Sequence, residues 1–384
     1  METVKGFRDI TDEEALKREK IRELLVKKFK IYGFVPAETP VIESEEFAKA
    51  GQAEETISDI FRLKDKGQRA LALRYELTFQ LKRLAQNKKL PYRRYQIGEV
   101  FRDEPTSSNR FRQFTQCDID IIGSNTRDEA EILKLFSEIL KELRIEANIY
   151  INNRKLLNEI IEEQEVSQKD KLQVIKEIDK LDKLSEQEVK ANLRKYKAEN
   201  LIALFKKPKS YFKRYITFKE IQELEQYCKE YGVKVEFLPN LARGLAYYNG
   251  SVFEIKTKMM KESIAGGGSY LVNAIQGTGI SFGLDRLSTL AKVSIDKPKA
   301  IIISIAQDKA AIALAERLRS QEISCFIMDK ISKALEYANS LGIPFVIFIG
   351  KEEIKKKKFK LRDMRTGKEA LLAESALVKK LTNQ

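Results

Sequence analysis

The chain of 384 residues contains no histidine and no tryptophan. Without an imidazole, Ser-His-Asp and Cys-His catalysis, histidine-based zinc motifs and imidazole general bases are all excluded. Any catalysis must therefore use arginine, lysine, carboxylates, tyrosine, backbone amides or a bound metal ion.

Cysteines and long apolar runs are also scarce. The three cysteines, Cys117, Cys228 and Cys325, lie far apart and form neither a CxxC pair nor a disulfide framework, so we expect them to be reduced and structural. No apolar run approaches the roughly 18 residues of a membrane helix, and the first residues, METVKG, carry no signal-peptide apolar region. We therefore expect a cytoplasmic protein that does not cross a membrane.

Positive charge is in excess, with 71 lysines and arginines against 57 acidic residues and a formal net charge of +14. Such an excess attracts polyanions and favours a nucleic acid or an acidic surface as partner. A merely lysine-rich surface explains the charge equally well. A chain of this length is expected to form two or three domains.

Hydrophobic periodicity predicts mixed α and β structure in the first 150 residues. Charged and apolar residues alternate at three- and four-residue spacing over 12–29, which predicts an amphipathic helix ended by Gly33. Further elements are expected as strands at 69–74, 95–102 and 111–122 and as a helix at 128–143. The last two strands would form a hairpin with a polar, arginine-flanked loop at 103–110.

Residues 155–232 have a different character, because they are rich in lysine and glutamate, almost without glycine and helical in their apolar spacing. This pattern predicts an independent helical insertion. Its default interpretation is a solvated helical module, and the more specific but less common alternative is a nucleic-acid contact.

Two glycine clusters follow, at 266–268 and 277–283, and the second leads into a predicted helix at 284–290. A dinucleotide-binding fingerprint needs GxGxxG between a strand and a helix, and neither cluster has that spacing. Close backbone packing at a substrate site fits these glycines better.

From Pro298 the order of elements is β-α-β-α-β, which predicts a small α/β domain with a partly parallel sheet. The elements are expected at 300–305, 308–320, 325–328, 332–341 and 345–349, followed by a basic tail from Lys351. The lysine run 355–358 beside Phe359 would suit a phosphate backbone, although such runs are usually only solvated.

Three segments carry arginines in a setting that suits phosphate binding: 101–114 (FRDEPTSSNRFRQF), 241–248 (LARGLAYY) and 283–286 (GLDR). Guanidinium groups bind phosphates through forked, charge-assisted hydrogen bonds and never lose their proton. One arginine-rich hairpin alone would more often be a surface salt-bridge network. Together the three segments could hold a triphosphate without a Walker-type loop, which the chain lacks.

In this order the segments resemble the motifs of class II aminoacyl-tRNA synthetases, specifically of the histidyl-tRNA synthetase family. The similar segments are KGFRD at 5–9, motif 1 at 33–40, motif 2 at 101–123, RGLAYYNG at 243–250, motif 3 at 279–287, and 341–350 with 361–364 in the anticodon-binding part. The resemblance covers nearly the whole chain and is weakest in the helical segment.

The resemblance implies an α+β catalytic domain with an antiparallel sheet, a helical insertion and a C-terminal α/β anticodon-binding-like domain. We expect them at 1–150 with 234–295, at 151–233 and at 298–384. The implied activity is that of a histidine–tRNA ligase, which forms histidyl-adenylate from L-histidine and ATP with Mg²⁺ and transfers the histidine to the 3′ end of tRNA-His. A homodimer built through motif 1 is also implied.

The resemblance also implies a role for each matching residue. For ATP, Arg102 would bind the α-phosphate, Arg110 and Arg286 the β- and γ-phosphates, Phe114 would stack on adenine, and Glu104 would lie near the adenine or a phosphate-bound metal. Arg243 would stabilise charge on the carboxylate and the α-phosphate. For histidine, the residues are Glu76, Thr78 and Gln116 at the ammonium, Asp120 and Tyr248 at the imidazole nitrogens, and Tyr247 and Tyr270 as pocket walls.

A site of this kind suits imidazole, whose two ring nitrogens require polar partners at opposite edges. Asp120 could alternatively be a structural strand residue paired with an arginine. The chain departs from the family pattern at Ala246, Ser269 and Leu271, and at Thr115, so altered supporting contacts around the imidazole pocket are expected.

Two other functions remain open at this stage. One is a synthetase-like subunit that binds histidine and regulates the first enzyme of histidine biosynthesis, although such proteins usually lack the anticodon module and motif arginines that this chain retains. The other is an RNA-binding protein with a decayed active site. Histidine-dependent exchange of pyrophosphate into ATP separates the ligase from both.

Overall fold

A computed structural model describes residues 2–50, 54–107, 110–182, 184–243 and 247–382. The chain forms two compact units, Met1–Ser294 and Ile295–Gln384. Within the described residues, no helix is both long and apolar enough to cross a membrane.

An eight-stranded sheet forms the centre of the first unit. Its strands, in spatial order, are Val35–Pro36, Tyr92–Phe101, Gln113–Ile122, Ile275–Gly283, Ala265–Val272, Tyr248–Lys256, Asn148–Asn153 and Glu236–Phe237. Only the two outermost pairs are parallel, and the other five are antiparallel. The predicted antiparallel α+β fold is thus confirmed. A second, small antiparallel sheet is formed by three strands that lie between Pro36 and Tyr92 along the chain: Ile42–Ser44, Ala70–Leu73 and Arg62–Lys64.

Two long helices pack on this sheet through apolar stripes. Asp12–Ile31 buries Ile21, Leu25 and Phe29, spaced four residues apart, and the chain then turns at Gly33, whose φ is +76°. Thr126–Glu142 begins with a capping box between Asn125 and Asp128. The shorter helices are Glu45–Lys49, Glu54–Ser58, Leu81–Leu84 and Leu284–Leu290. The helices predicted at 12–29 and 284–290 are therefore confirmed.

The segment predicted as a helical insertion is helical. Its helices are Arg154–Glu163, Lys171–Asp179, the 3-10 turn Lys180–Asp182, Glu186–Arg194, Leu201–Leu204, Lys209–Phe212 and Phe218–Glu230. Its buried apolar side chains belong to one continuous core with those of the sheet and the long helices. The segment is therefore part of the first compact unit. It is not packed as an independent body, and its boundaries at 151 and 233 stay a prediction.

The second unit has a five-stranded sheet ordered Cys325–Met328, Ala300–Ser304, Phe345–Ile349, Phe359–Asp363 and Glu369–Leu372, with the first three strands parallel. Its helices are Asp308–Arg319, Ile331–Leu341, Lys351–Lys356 and Glu374–Thr382. The β-α-β-α-β order is confirmed. The basic tail beyond 350 instead folds into two strands and two helices, because its lysines lie on solvated faces while Leu361, Leu377 and Leu381 enter the core.

Candidate active site

The candidate site lies on one face of the large sheet. Successive side chains of a strand point to opposite faces, so Gln116, Asp118 and Asp120 share one face of Gln113–Ile122. The register places Gly98, Gln96 and Arg94 beside them on one neighbouring strand, and Gly283, Ser281 and Gly279 on the other. Because Gly98, Gly279 and Gly283 have no side chains, the two neighbouring strands leave room for a ligand above the central strand.

Arginines from the three predicted segments lie close enough to interact electrostatically. Burial is the main cause that lowers the pKa of the Arg286 guanidinium; Glu262 opposes this, and the positive charges of Arg102, Arg110 and Arg243 add to it. Such a group of cations is suited to a polyanionic ligand, because the ligand neutralises them together.

Aromatic rings flank Arg102. Its guanidinium lies 4.2 Å from the centre of the Tyr75 ring and 5.0 Å from that of Phe114, within the range of cation–π contacts. Its Nε also donates to the backbone oxygen of Tyr75 at 3.3 Å. The ring predicted to stack on adenine therefore adjoins the arginine predicted to bind the α-phosphate.

Carboxylates lie among these cations. Arg110 forms an ion pair with Glu104, which also accepts a 3.4 Å hydrogen bond from the Tyr75 hydroxyl. Burial and then Glu104 raise the pKa of Asp59, while Arg110 and Arg102 oppose that rise. Within the described residues, no three Cys, Asp or Glu side chains are grouped as a metal site.

Glycine makes room for Arg243. This residue has a φ of +50°, and its Nη1 lies 3.0 Å from Glu254 Oε1. A Cβ atom at Gly266 would lie only 2.3 Å from Arg243 Nη1, and one at Gly267 only 2.0 Å from the backbone oxygen of Gly279. Close packing at the glycine cluster is thus confirmed. Burial alone would lower the pKa of Arg243, but Tyr248 and Glu254 raise it above its usual value.

Three tyrosines and a glutamate form a compact group next to Arg243. The Tyr247 hydroxyl donates to Glu76 Oε2 at 3.2 Å, and the Tyr247 ring centre lies 4.8 Å from that of Tyr248 and 5.7 Å from that of Tyr270. Burial is the main cause that raises the pKa of all three phenols, so they remain neutral hydrogen-bond donors. Thr78 follows Glu76 by two residues and is half-buried.

Asp120 is buried at the other side of this group. The Tyr270 hydroxyl donates to Oδ1, and Arg94 Nη2 lies 2.7 Å from Oδ2. Sequence reasoning missed Arg94, which is fully buried. The predicted hairpin strand begins at residue 95, one residue beyond Arg94, whereas the observed register places Arg94 directly opposite Asp120.

Two polar groups near Asp120 have free hydrogen-bonding capacity among the described residues. Gln116 Nε2 donates to Ser281 Oγ at 3.3 Å, while Gln116 Oε1 and Asp118 Oδ1 are buried without a hydrogen-bond partner there. Burial raises the pKa of Asp118 to about 7, against the opposing charge of Arg94. Asp118 is a second group that sequence reasoning did not select.

Three of the positions that depart from the family pattern contact groups other than the tyrosines and Asp120. Ser269 donates to the buried Glu129, Leu271 is half exposed, and Thr115 accepts a 2.9 Å hydrogen bond from Arg18 of the first helix. The expectation of altered supporting contacts around the imidazole pocket stays a prediction. Ala246 lies outside the described residues.

The amino-terminal KGFRD segment packs beside motifs 2 and 3. Arg8 lies 4.4 Å from the centre of the Phe111 ring and forms ion pairs with Glu14 and Asp285. Arg8, Phe111 and Asp285 line a cavity of about 420 Å³ together with Arg286. The KGFRD segment, motif 2 and motif 3, which are distant in sequence, thus lie next to one another in the fold.

Known families match both units. Residues 6–287 match the model of the histidyl-tRNA synthetase family, and residues 299–384 match that of the anticodon binding domain. The chain is 34% identical over 419 residues to histidine–tRNA ligase 1 of Bacillus cereus, with 98% of each chain covered.

Solved structures show the same fold. A histidyl-tRNA synthetase from Nostoc sp. matches with a TM-score of 0.85 and 25% identity, covering 100% of this chain and 99% of that one. A protein from Bacillus halodurans, described as an ATP phosphoribosyltransferase regulatory subunit/histidyl-tRNA synthetase, matches with a TM-score of 0.76 and 19% identity, covering 90% and 97%. Given the family match over most of the chain and the convergence of its motifs on one sheet face, this chain belongs to the histidyl-tRNA synthetase family.

Proposed function

We propose that this protein is a histidine–tRNA ligase that forms histidyl-adenylate from L-histidine and ATP and transfers the histidine to tRNA-His. One observation carries the proposal: four arginines adjoin a pocket of buried tyrosines and carboxylates on a single sheet face. Such a site holds a triphosphate at one end and a small, polar amino acid at the other.

At the phosphate end, Arg102 binds the α-phosphate, and Arg110 and Arg286 bind the β- and γ-phosphates. Phe114 stacks on the adenine. Mg²⁺ enters with the ATP phosphates and needs only one or two protein carboxylates, for which Glu104 and Asp59 are suited by their place among the arginines. When bound, it would neutralise charge on the phosphates.

At the amino-acid end, Glu76, Thr78 and Gln116 hold the ammonium group. Asp120 and Tyr248 contact the two imidazole nitrogens, and Tyr247 and Tyr270 form the walls. A site that hydrogen-bonds both ring nitrogens rejects apolar side chains of similar size, because its own buried polar groups would lose their partners.

The chemistry follows from this arrangement. A carboxylate oxygen of histidine attacks the α-phosphorus, the bond to the bridging oxygen breaks, and pyrophosphate leaves. Arg243 and Arg102 stabilise the charge that develops on the transferring group, so that positioning and electrostatics suffice without an enzyme base. A terminal hydroxyl of tRNA-His then attacks the adenylate carbonyl and releases AMP.

The family also suggests where and with which partners the protein works. We propose that tRNA-His contacts the anticodon-binding unit and that the reaction takes place in the cytoplasm, where translation uses its product. A homodimer is supported by the edge strand Val35–Pro36, next to which Ile31, Val41 and Ile42 expose 40% or more of their surface.

A regulatory, non-catalytic histidine-binding subunit is the alternative, and the Bacillus halodurans protein shows that the fold is compatible with it. The retained anticodon-binding unit and phosphate-binding arginines argue against it. Pyrophosphate exchange into ATP that requires histidine, followed by charging of tRNA-His, tests the proposal. Histidine binding without either reaction would instead support the regulatory function.

A further inference from the structure

Arg94 is the largest fully buried side chain of the protein among the described residues. It lies on the strand Tyr92–Phe101, on the site face and directly opposite Asp120. A buried charge is costly, and an ion pair in such a place is weak evidence for a role in stability. Its position on the site face makes a role in ligand binding worth testing.

The Arg94 guanidinium connects two parts of the amino-acid site. Its Nη2 lies 2.7 Å from Asp120 Oδ2 and donates to the backbone oxygen of Leu77 at 2.8 Å. Leu77 is the residue between Glu76 and Thr78. One guanidinium therefore contacts both the proposed imidazole acceptor and the segment proposed to hold the ammonium.

We propose that Arg94 is a positioning residue for histidine: it holds Asp120 ionised and oriented as the acceptor of an imidazole N–H, at a fixed distance from the 76–78 segment. This inference rests on the proposed ligase function. Arg94 acts through Asp120 and the 76–78 segment, and the bound amino acid contacts those groups.

The surroundings of Asp120 show why a countercharge is needed. Burial raises the pKa of Asp120, and Arg94 and the Tyr270 hydroxyl oppose that rise. The other titratable groups near the pair are Asp118 on the same strand, Tyr92 on the Arg94 strand and Glu76 beside Leu77, and none of them is a cation. On the far side, Gly279 contributes no charge. Within the described part of the site, Arg94 is thus the cation paired with Asp120.

Tyr270 and Arg94 leave lone pairs of the carboxylate available. Each carboxylate oxygen can accept two hydrogen bonds, so an imidazole N–H can be added while both present partners remain. A protonated Asp120 would offer a weaker acceptor and an extra donor. Loss of Arg94 should therefore weaken the binding of histidine but not that of ATP.

The test is Arg94→Gln in histidine-dependent pyrophosphate exchange, with KM measured separately for histidine and ATP from pH 6 to pH 8.5. Because the ion pair that favours the ionised form of Asp120 is lost, we expect the histidine KM to rise about ten- to a hundredfold at pH 7, with the ATP KM within about twofold. The ratio of variant to wild-type histidine KM should fall as pH rises and Asp120 ionises. A purely structural role would not produce that pH trend.

Arg93→Gln is the matched control, because Arg93 is the preceding residue, points to the opposite face and pairs with Glu131 and Asp128. It should leave both KM values near those of the wild type. Arg94→Lys restores the charge but not the guanidinium geometry that reaches both Asp120 and Leu77, so its histidine KM should rise a few-fold without the pH trend.

Equal weakening of histidine and ATP by Arg94→Gln, or a pH-independent KM ratio, overturns the inference. If Arg94→Gln does not fold, as judged by circular dichroism, Arg94→Lys decides: a wild-type histidine KM would refute the bridging role, and a raised one would support it. Failure of the wild-type protein to exchange pyrophosphate in response to histidine would refute the proposed function itself, which distinguishes the two failures.

Discussion

Gly279 lies directly opposite Asp120 in the sheet, and a Cβ atom at position 279 would come within 2.1 Å of Asp120 Oδ1. Gly279→Ala should therefore displace the carboxylate and raise the histidine KM about tenfold or more, with a smaller effect on the ATP KM. The added methyl also approaches the Ile119 backbone oxygen at 2.8 Å, so some loss of stability is expected.

Gly277→Ala on the same strand is the control for that loss. Its Cβ would meet the flexible Ile122 side chain at 3.0 Å and is farther from the Asp120 carboxylate. Thermal unfolding and separate titrations of the two substrates measure both variants. Similar histidine KM values in the two would argue against a specific effect on Asp120.

Asp120→Asn tests whether this residue recognises histidine or is only a structural partner of Arg94. An amide is a weaker acceptor than a carboxylate, so the histidine KM should rise by one to two orders of magnitude while ATP binding changes little. Both substrates are titrated in the exchange assay. Parallel loss of histidine and ATP affinity would favour the structural alternative, in which the variant leaves Arg94 as an uncompensated buried charge.

Arg243→Ala should abolish most adenylate formation while the protein remains folded, because Glu254 keeps Lys256 as a partner at 2.9 Å. The lost guanidinium acts on charge that develops in the transition state, so a drop of about 100- to 1000-fold should appear mainly in kcat. Pyrophosphate exchange at saturating substrates gives the value. Near-normal exchange by a folded variant would remove Arg243 from the mechanism.

Glu129 should make stability depend on pH. Burial raises its pKa to about 7, although hydrogen bonds from Ser251 and Ser269 oppose this. The folded state then binds the proton more tightly than the unfolded state, so the free energy of unfolding should fall as pH rises from about 4.5 through 7. The effect is on the order of 3 kcal/mol.

Glu129→Gln, which resembles the protonated acid, should remove this part of the pH dependence. Glu146→Gln at an exposed site is the control. Denaturant unfolding at pH 5, 7 and 8.5 provides the comparison. A variant whose stability follows the same pH curve as the wild type would show that Glu129 is not the responsible group.

Sedimentation velocity at micromolar concentration should show a dimer, because a dimer interface would bury the exposed edge strand Val35–Pro36 and the apolar side chains beside it. Val41→Lys should shift the distribution toward monomer, since it places a charge beside that edge. Ile216→Lys, at an exposed apolar position of the helical segment, should not. A wild-type protein that is only monomeric at this concentration would contradict the motif 1 assignment.

Much of this site could be predicted from the sequence. The four arginines follow strand ends, a turn and a helix start that periodicity and glycine spacing locate well, and they meet as expected. The contacts of Thr115, Ser269 and Leu271 follow from the alternation of side chains along a strand. Thr115, Ser269 and Leu271 alternate with Phe114, Gln116 and Tyr270, and a strand sends such neighbours to opposite faces.

Arg94 and Asp118 were harder to find for a physical reason. Both are charged side chains in fully buried strand positions, where apolar residues are normal, and local pattern does not reveal burial of a charge. Their partners come from other segments of the chain: Leu77 for Arg94 and Ser281 for Asp118. Long-range pairing determines their environment, and a single sequence does not contain that information.

The convergence of Arg102, Arg110, Arg243 and Arg286 has a consequence for the folded state as a whole. Cations held this close repel one another, and a nucleotide that binds only the folded protein relieves the repulsion and shifts the folding equilibrium by mass action. If the proposed function holds, ATP should therefore raise the resistance of the first unit to heat and proteolysis. Removal of the nucleotide should lower that resistance, which would link the lifetime of the folded protein to the nucleotide supply.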